Sequence, residues 1–204
     1  MVEEVIATKH RVFPYIISSL SATFPSKPSS KLTTMSHHQN KTLIFSYGTL
    51  KRGFPNHPLM EDLASHNDAV FIGPYVTDLK LPLVLGPYGV PFLLNLPGSS
   101  RHRVRGELYS VSDSGLRRLD ELEGITRGHY ERLPITLRSE SGGVTEAEAY
   151  FGHRSFAEEM WRRNGEEGYD CYSEELAKEY VRRDLRPKDV SFRDAVSLFC
   201  STNN

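Results

Sequence analysis

Apolar residues along this chain arrive in short bursts, and most bursts carry the rhythm of strands. Thr42–Tyr47 is apolar, β-branched and aromatic almost throughout, the pattern of a buried strand. The segments VFIGPYV, LPLVL, VPFLLNL, VRGELYSV, LPITL and AEAYF follow, separated by Gly, Pro, Asn and Ser, and each predicts a strand. Pro82 and Pro91 fall among them; proline cannot donate to a ladder, so both positions predict edges or bulges. Three stretches read as helices. One runs from a cap at Asn56 to about His66. The clearest spans Asp113 to about Glu123, capped by Ser112 and closed by Gly124. A third covers YSEELAKEYVRRDLRP, with Ser173 as cap, Glu174 and Glu175 in the first turn, Glu174–Lys178 and Glu179–Arg183 as pairs, and Pro187 beyond its end. Many short strands and few helices predict an α+β fold, a small mixed β-barrel or curled sheet with flanking helices.

Residues 1–41 break this rhythm. They are rich in Ser, Thr, Lys and Pro with no sustained period, and read as a disordered N-terminal extension. Their serine content and scarcity of acids after Glu4 suit an organellar targeting segment, whereas Glu3, Glu4 and a lone Arg11 argue against one. Met35 offers an alternative start. The chemistry is therefore expected after Lys41, in a domain over 42–152 with a helical C-terminal extension, 153–204, packing on it.

Composition narrows the function. The 25 basic and 26 acidic residues nearly cancel, which leaves no electrostatic footprint for a nucleic-acid or membrane partner. No apolar run approaches the roughly 20 residues of a membrane helix. Cys171 and Cys200 stand far apart and read as free thiols in a reducing compartment. The histidines are scattered, so neither a metal nor another cofactor is expected. A cytoplasmic monomer acting on a small molecule is the simplest expectation.

Two features carry candidate chemistry. The first is the end of the opening strand, SYGTLKRGFPNH. Gly48 and Gly53 have the spacing of a phosphate loop, but Phe54-Pro55 stands where Lys and Ser or Thr are needed, which argues against a nucleoside triphosphate. A sharp turn at Tyr47–Leu50 would present consecutive backbone amides, a nest for a smaller anion such as a carboxylate; a plain strand-to-helix turn gives the same pattern. Lys51 and Arg52 read as a solvated pair. The second feature is LDELEG. At about 100° per residue, Leu116, Leu119 and Leu122 define the core side of their helix. Glu123 lies about 40° from that direction, Asp120 about 100°, and Glu121 roughly opposite. Glu123 therefore faces inward, unless the helix ends before it. An inward carboxyl has a raised pKa suited to proton transfer near neutral pH. Asp120 reads either as a solvated acid or as a partner that orients the helix end or polarises Glu123. Trp161 reads as an anchor of the C-terminal region.

Together the ordered segments YGTLKRGFPNH, LPLVL, VPFLLNLPG, VRGELYSV, LRRLDELEG and HYER resemble the gamma-glutamyl cyclotransferase-like family, on the branch of the gamma-glutamylamine cyclotransferases and the plant avirulence-induced-gene-like proteins. The resemblance spans about Thr42 to Tyr150. It implies a mixed β-barrel with flanking helices, and release of an amine from a γ-glutamyl compound with closure to 5-oxoproline. It makes Tyr47, Gly48, Thr49 and Leu50 the substrate-binding loop, Glu123 the catalytic acid/base, and Gly106 and Tyr130 pocket lining. The chain after Gly152 departs from the pattern, which leaves the leaving amine open. A non-catalytic module binding a small carboxylate or a protein on the same fold is the alternative.

Overall fold

The computed structural model describes residues 41–201; the expectations for the N-terminal extension, its targeting role and the start at Met35 lie outside the described residues. Strands form at Lys41–Ser46 (β1), Ala69–Thr77 (β2), Leu83–Leu85 (β3), Pro91–Leu93 (β4), Arg105–Ser112 (β5), Tyr130–Ser139 (β6) and Val144–Gly152 (β7). They are ordered β1-β5-β2-β6-β7-β4-β3, and a further pairing of β1 with β7 closes five of them into a mixed barrel. Helices α1 (His57–Ser65), α2 (Asp113–Glu123), α3 (Ala157–Arg163), α4 (Glu174–Ala177) and α5 (Phe192–Ser201) flank it. Pro91 heads the short strand β4, and Pro82 precedes β3 at the outer edge of the sheet.

Alternation along the strands builds two apolar layers, because successive side chains point to opposite faces. Phe45, Leu108, Leu137, Ala149 and Phe151 belong to one cluster, made mostly of strand residues. Ile44, Val111 and Tyr150 belong to the other, where the strands meet Met60 and Leu63 of α1, Leu119 of α2, Trp161 of α3 and Val196 of α5. Trp161 does anchor the C-terminal region.

The barrel closure decides where a site can form. β7 pairs with β1 in parallel at Ile44↔Glu148 and Phe45↔Ala149, and then with β4 at Leu93↔Phe151. Tyr150 lies at the handover between the two ladders. There β1 leaves the sheet as the turn Tyr47–Leu50, and the Tyr47 hydroxyl donates to the Tyr150 carbonyl (2.6 Å). A buried carbonyl must find a donor, and here a side chain supplies it.

The C-terminal segment corrects the sequence expectation. Instead of one helix over YSEELAKEYVRRDLRP, only Glu174–Ala177 is α-helical, capped by Ser173, with a 3₁₀ turn at Arg183–Leu185. Lys178 pairs with Glu175 rather than Glu174, and the chain opens at the point expected for Glu179–Arg183. Tertiary bonds override local propensity: Val181 N–H donates to the Tyr88 carbonyl (2.9 Å), and the Tyr180 hydroxyl lies 3.2 Å from Asn56 Nδ2. Among the described residues no helix is long and apolar enough to cross a membrane.

Candidate active site

Helix α2 delivers the acid. Ser112 caps it by accepting from the Gly115 N–H (3.1 Å), and Gly124 ends it in the left-handed conformation. A short 3₁₀ turn, Ile125–Arg127, then leads into Tyr130 at the head of β6. One connection thus brings Glu123 and Tyr130 to the same wall. The helix does reach Glu123, so this carboxylate occupies the inward position that its phase requires.

The turn after β1 forms the opposite wall. Its own hydrogen bonds, Lys51 N–H to the Gly48 carbonyl (3.2 Å) and Asn56 N–H to the Thr49 carbonyl (2.9 Å), use the loop's oxygens. The amides of Gly48, Thr49 and Leu50 donate to no protein acceptor among the described residues. Gly48 is required for a reason that the sequence did not show: a Cβ there would lie 2.7 Å from Pro91 Cγ. The glycine lets the turn sit against β4.

Between these walls lies a cavity of about 40 Å³, lined by Ser46, Tyr47, Gly48, Thr49, Leu50, Pro91, Glu123, Tyr130 and Tyr150, with Ile44 and Phe45. The structure therefore brings together the loop, Glu123 and Tyr130. Gly106 lines neither this cavity nor its larger neighbour. A Cβ on Gly106 would meet the Ser46 carbonyl at 2.5 Å and the Phe45 ring at 2.6 Å, so its place is in the contact of β5 with the end of β1, which corrects its expected lining role.

Burial, reinforced by the nearby charge of Asp120, pushes the Glu123 carboxyl up to about 8. Among the described residues no hydrogen bond relieves it. Asp120 is not a solvated acid: it accepts from the Tyr150 hydroxyl (2.7 Å) and from Arg132 Nε (3.1 Å), and Arg132 also reaches Glu148. This network fixes the end of α2 against β6 and β7. Tyr130 donates to the Pro91 carbonyl (3.0 Å) and stacks on Phe92. Burial, with Glu123 nearby, holds the Tyr47 and Tyr130 hydroxyls above their ordinary range, so both stay protonated donors.

Several participants were not named from sequence. Ser46 is buried, and its hydroxyl is the one buried side-chain polar atom with no hydrogen-bond partner among the described residues; a serine ending an apolar strand was its only signal. Asn56 stands at the N-cap position of α1 as expected, but its side chain makes no capping bond and donates to Thr49 Oγ1 (2.9 Å), tying the loop to Tyr180. Arg52 stays exposed to solvent as expected, whereas Lys51 is half-buried. Lys51 Nζ donates to the Tyr172 carbonyl (2.7 Å), while Arg52 is held by Glu107 and lies over the Phe71 ring at 3.8 Å. Both pin the turn from outside. Among the described residues no cluster of three or more His, Cys, Asp or Glu is placed to hold a metal ion.

The larger cavity, about 330 Å³, shares Thr49, Glu123 and Tyr130 with the first and is completed by residues from the C-terminal segment.

Comparison with known proteins gives this geometry a context. The family model described as "Gamma-glutamyl cyclotransferase, AIG2-like" matches residues 44–171. A putative gamma-glutamylcyclotransferase of Arabidopsis thaliana is 54% identical over 174 residues, covering 79% of this chain and 92% of that protein. A rat gamma-glutamylaminecyclotransferase is 47% identical over 96 residues, 47% of this chain and 62% of that one. The crystal structure of an AIG2-like protein from mouse superposes with a TM-score of 0.62 at 35% identity, covering 72% of this chain and 99% of that chain.

Proposed function

The chain belongs to the gamma-glutamyl cyclotransferase, AIG2-like family and is an enzyme of that type, and from that premise we propose that it converts a γ-glutamyl amide into 5-oxoproline and a free amine, with Glu123 as the acid/base. The observation that carries the proposal is the placement of one raised carboxyl opposite three unused amides in a single cavity.

In a γ-glutamyl amide the α-amine attacks its own γ-carbonyl carbon, so no protein nucleophile is needed. Folding the substrate into the attacking shape supplies the high effective molarity of a five-membered ring closure. The amides of Gly48, Thr49 and Leu50 bind the α-carboxylate and set that shape. Proton transfer then limits the reaction. The α-ammonium gives a proton to the Glu123 carboxylate and becomes the nucleophile. The new C–N bond forms, and Glu123 protonates the departing nitrogen as the old C–N bond breaks. The second proton of the new ring nitrogen passes through Glu123 to the released amine. No water is consumed. Raised to about 8, the carboxyl is basic enough to accept a proton from an ammonium and acidic enough to return it.

The test is incubation of the full chain with a panel of γ-glutamyl amides, with 5-oxoproline, glutamate and free amine quantified together. Equimolar 5-oxoproline and amine are expected. Glutamate in place of 5-oxoproline would identify a hydrolase and refute the proposal. Binding without turnover across the panel would point instead to a carboxylate-binding module.

A further inference from the structure

The larger cavity beside Glu123 has a charge that the proposed chemistry does not use. Arg127, Arg183, Arg186 and Lys188 all line it, and among the described residues Glu123 is the only acid that does. None of these four cations forms an ion pair with a carboxylate among the described residues. Arg127 donates to the Glu121 backbone carbonyl (2.7 Å), and Arg186 donates Nε to the Val181 carbonyl (2.9 Å). Arg186 is further caged by the rings of Tyr88, Tyr180 and Phe192, at 5.2–5.4 Å from their centroids, which fixes its guanidinium without neutralising it. A packed guanidinium is preorganised for carboxylates.

His129, on the same wall, registers the resulting potential. Burial, and then the charges of Arg127, Arg183, Arg193 and Arg186, pull its pKa down to about 4. It therefore adds no charge near neutral pH, and the excess rests on arginine and lysine. Three of the four cavity cations come from the stretch 183–188, beyond the 44–171 family match. The residues just before that stretch are held to the loop by the Thr49–Asn56–Tyr180 hydrogen bonds and to the β3–β4 turn by the bond from Val181 to Tyr88.

Resting on the cyclotransferase reading, we infer that this cavity is the leaving-group subsite and that it selects γ-glutamyl amides whose departing amine carries carboxylates, above all acidic amino acids. The γ-glutamyl half fills the small cavity, and the scissile nitrogen lies at Glu123, where the two cavities meet. The departing half therefore extends into the cationic one. A departing amino acid bears one carboxylate and an acidic one bears two, each with an arginine or lysine available. A departing diamine would place a positive charge among four others and is rejected.

The experiment compares kcat/KM for γ-glutamyl-glutamate, γ-glutamyl-alanine, γ-glutamyl-alaninamide and γ-glutamyl-putrescine, using the full chain at low and high salt. The expected order is as written, with about 10- to 100-fold between the first and second, which differ by one carboxylate, the worth of one charge-assisted hydrogen bond. That ratio should shrink with added salt. It should also fall toward one in the triple variant Arg127→Gln, Arg183→Gln, Lys188→Gln, whose three positions are exposed and whose fold is checked by circular dichroism. Equal turnover of the acidic and neutral substrates, or a ratio unchanged in the variant, would overturn the subsite while leaving the cyclotransferase reading intact. No 5-oxoproline from any of the four would sink both.

Discussion

If Glu123 is held protonated by its surroundings, the stability of the protein must depend on pH through this one group. Burial and Asp120 raise its pKa from 4.5 to about 8. In the unfolded chain the carboxyl ionises above 4.5, while in the folded chain it keeps its proton until about 8. The folded state then binds one more proton throughout that window, so unfolding free energy falls as pH rises, by about 1.4 kcal/mol per pH unit. The full window corresponds to about 5 kcal/mol as an upper bound, and water entering the open cavity reduces it to about 2–4 kcal/mol. Glu123→Gln removes the ionisation while preserving shape. The assay is urea unfolding of both proteins from about pH 4 to pH 9, reading the difference in free energy so that other titrating groups cancel. The two should match near pH 4, with the variant progressively the more stable as the pH rises through 8. Parallel profiles across the range would refute the reasoning, because they would mean that Glu123 titrates alike in both states.

Other perturbations probe the surrounding parts. Asp120→Asn removes the negative charge that helps to raise Glu123, so the ionisation seen in the kcat/KM profile should move to lower pH; an unmoved profile would remove Asp120 from this role. Tyr47→Phe leaves the Tyr150 carbonyl at the ladder handover without its donor, and should cost about 1–3 kcal/mol in urea unfolding; no measurable loss would mean that water substitutes freely. Gly48→Ala forces a methyl to 2.7 Å from Pro91 Cγ, which displaces the loop. Its kcat/KM should fall at least about tenfold, the cost of roughly 1.4 kcal/mol of misplacement; an unchanged kcat/KM would contradict the placement.

Local chemistry made the barrel legible: each strand announces itself by burst length and turn residues, and Ser112 and Gly124 mark both ends of α2. Glu123 was legible because helix phase is a local property, and the amide turn was legible because a strand ended abruptly in Tyr-Gly-Thr-Leu. What could not be read depends on contacts far apart in sequence. The parallel closure of β1 on β7 leaves no local trace, so neither the handover at Tyr150 nor the reason for Gly48 was visible. Asp120 sits off the core face of its helix, yet Tyr150 and Arg132, 30 and 12 residues away, give it partners. The segment after Ala177 has good helical propensity and still unwinds, because Tyr180 and Val181 are claimed by the loop and by the β3–β4 turn. That unwinding is also what carries Arg183 and Arg186 to the cavity.

The most direct test of the account is 5-oxoproline release by Glu123→Gln, measured beside wild type on a γ-glutamyl amide that wild type turns over, with the variant's fold verified by circular dichroism and thermal melting. The account expects a folded variant that still binds substrate and releases no 5-oxoproline above background. A folded variant with full activity would contradict it.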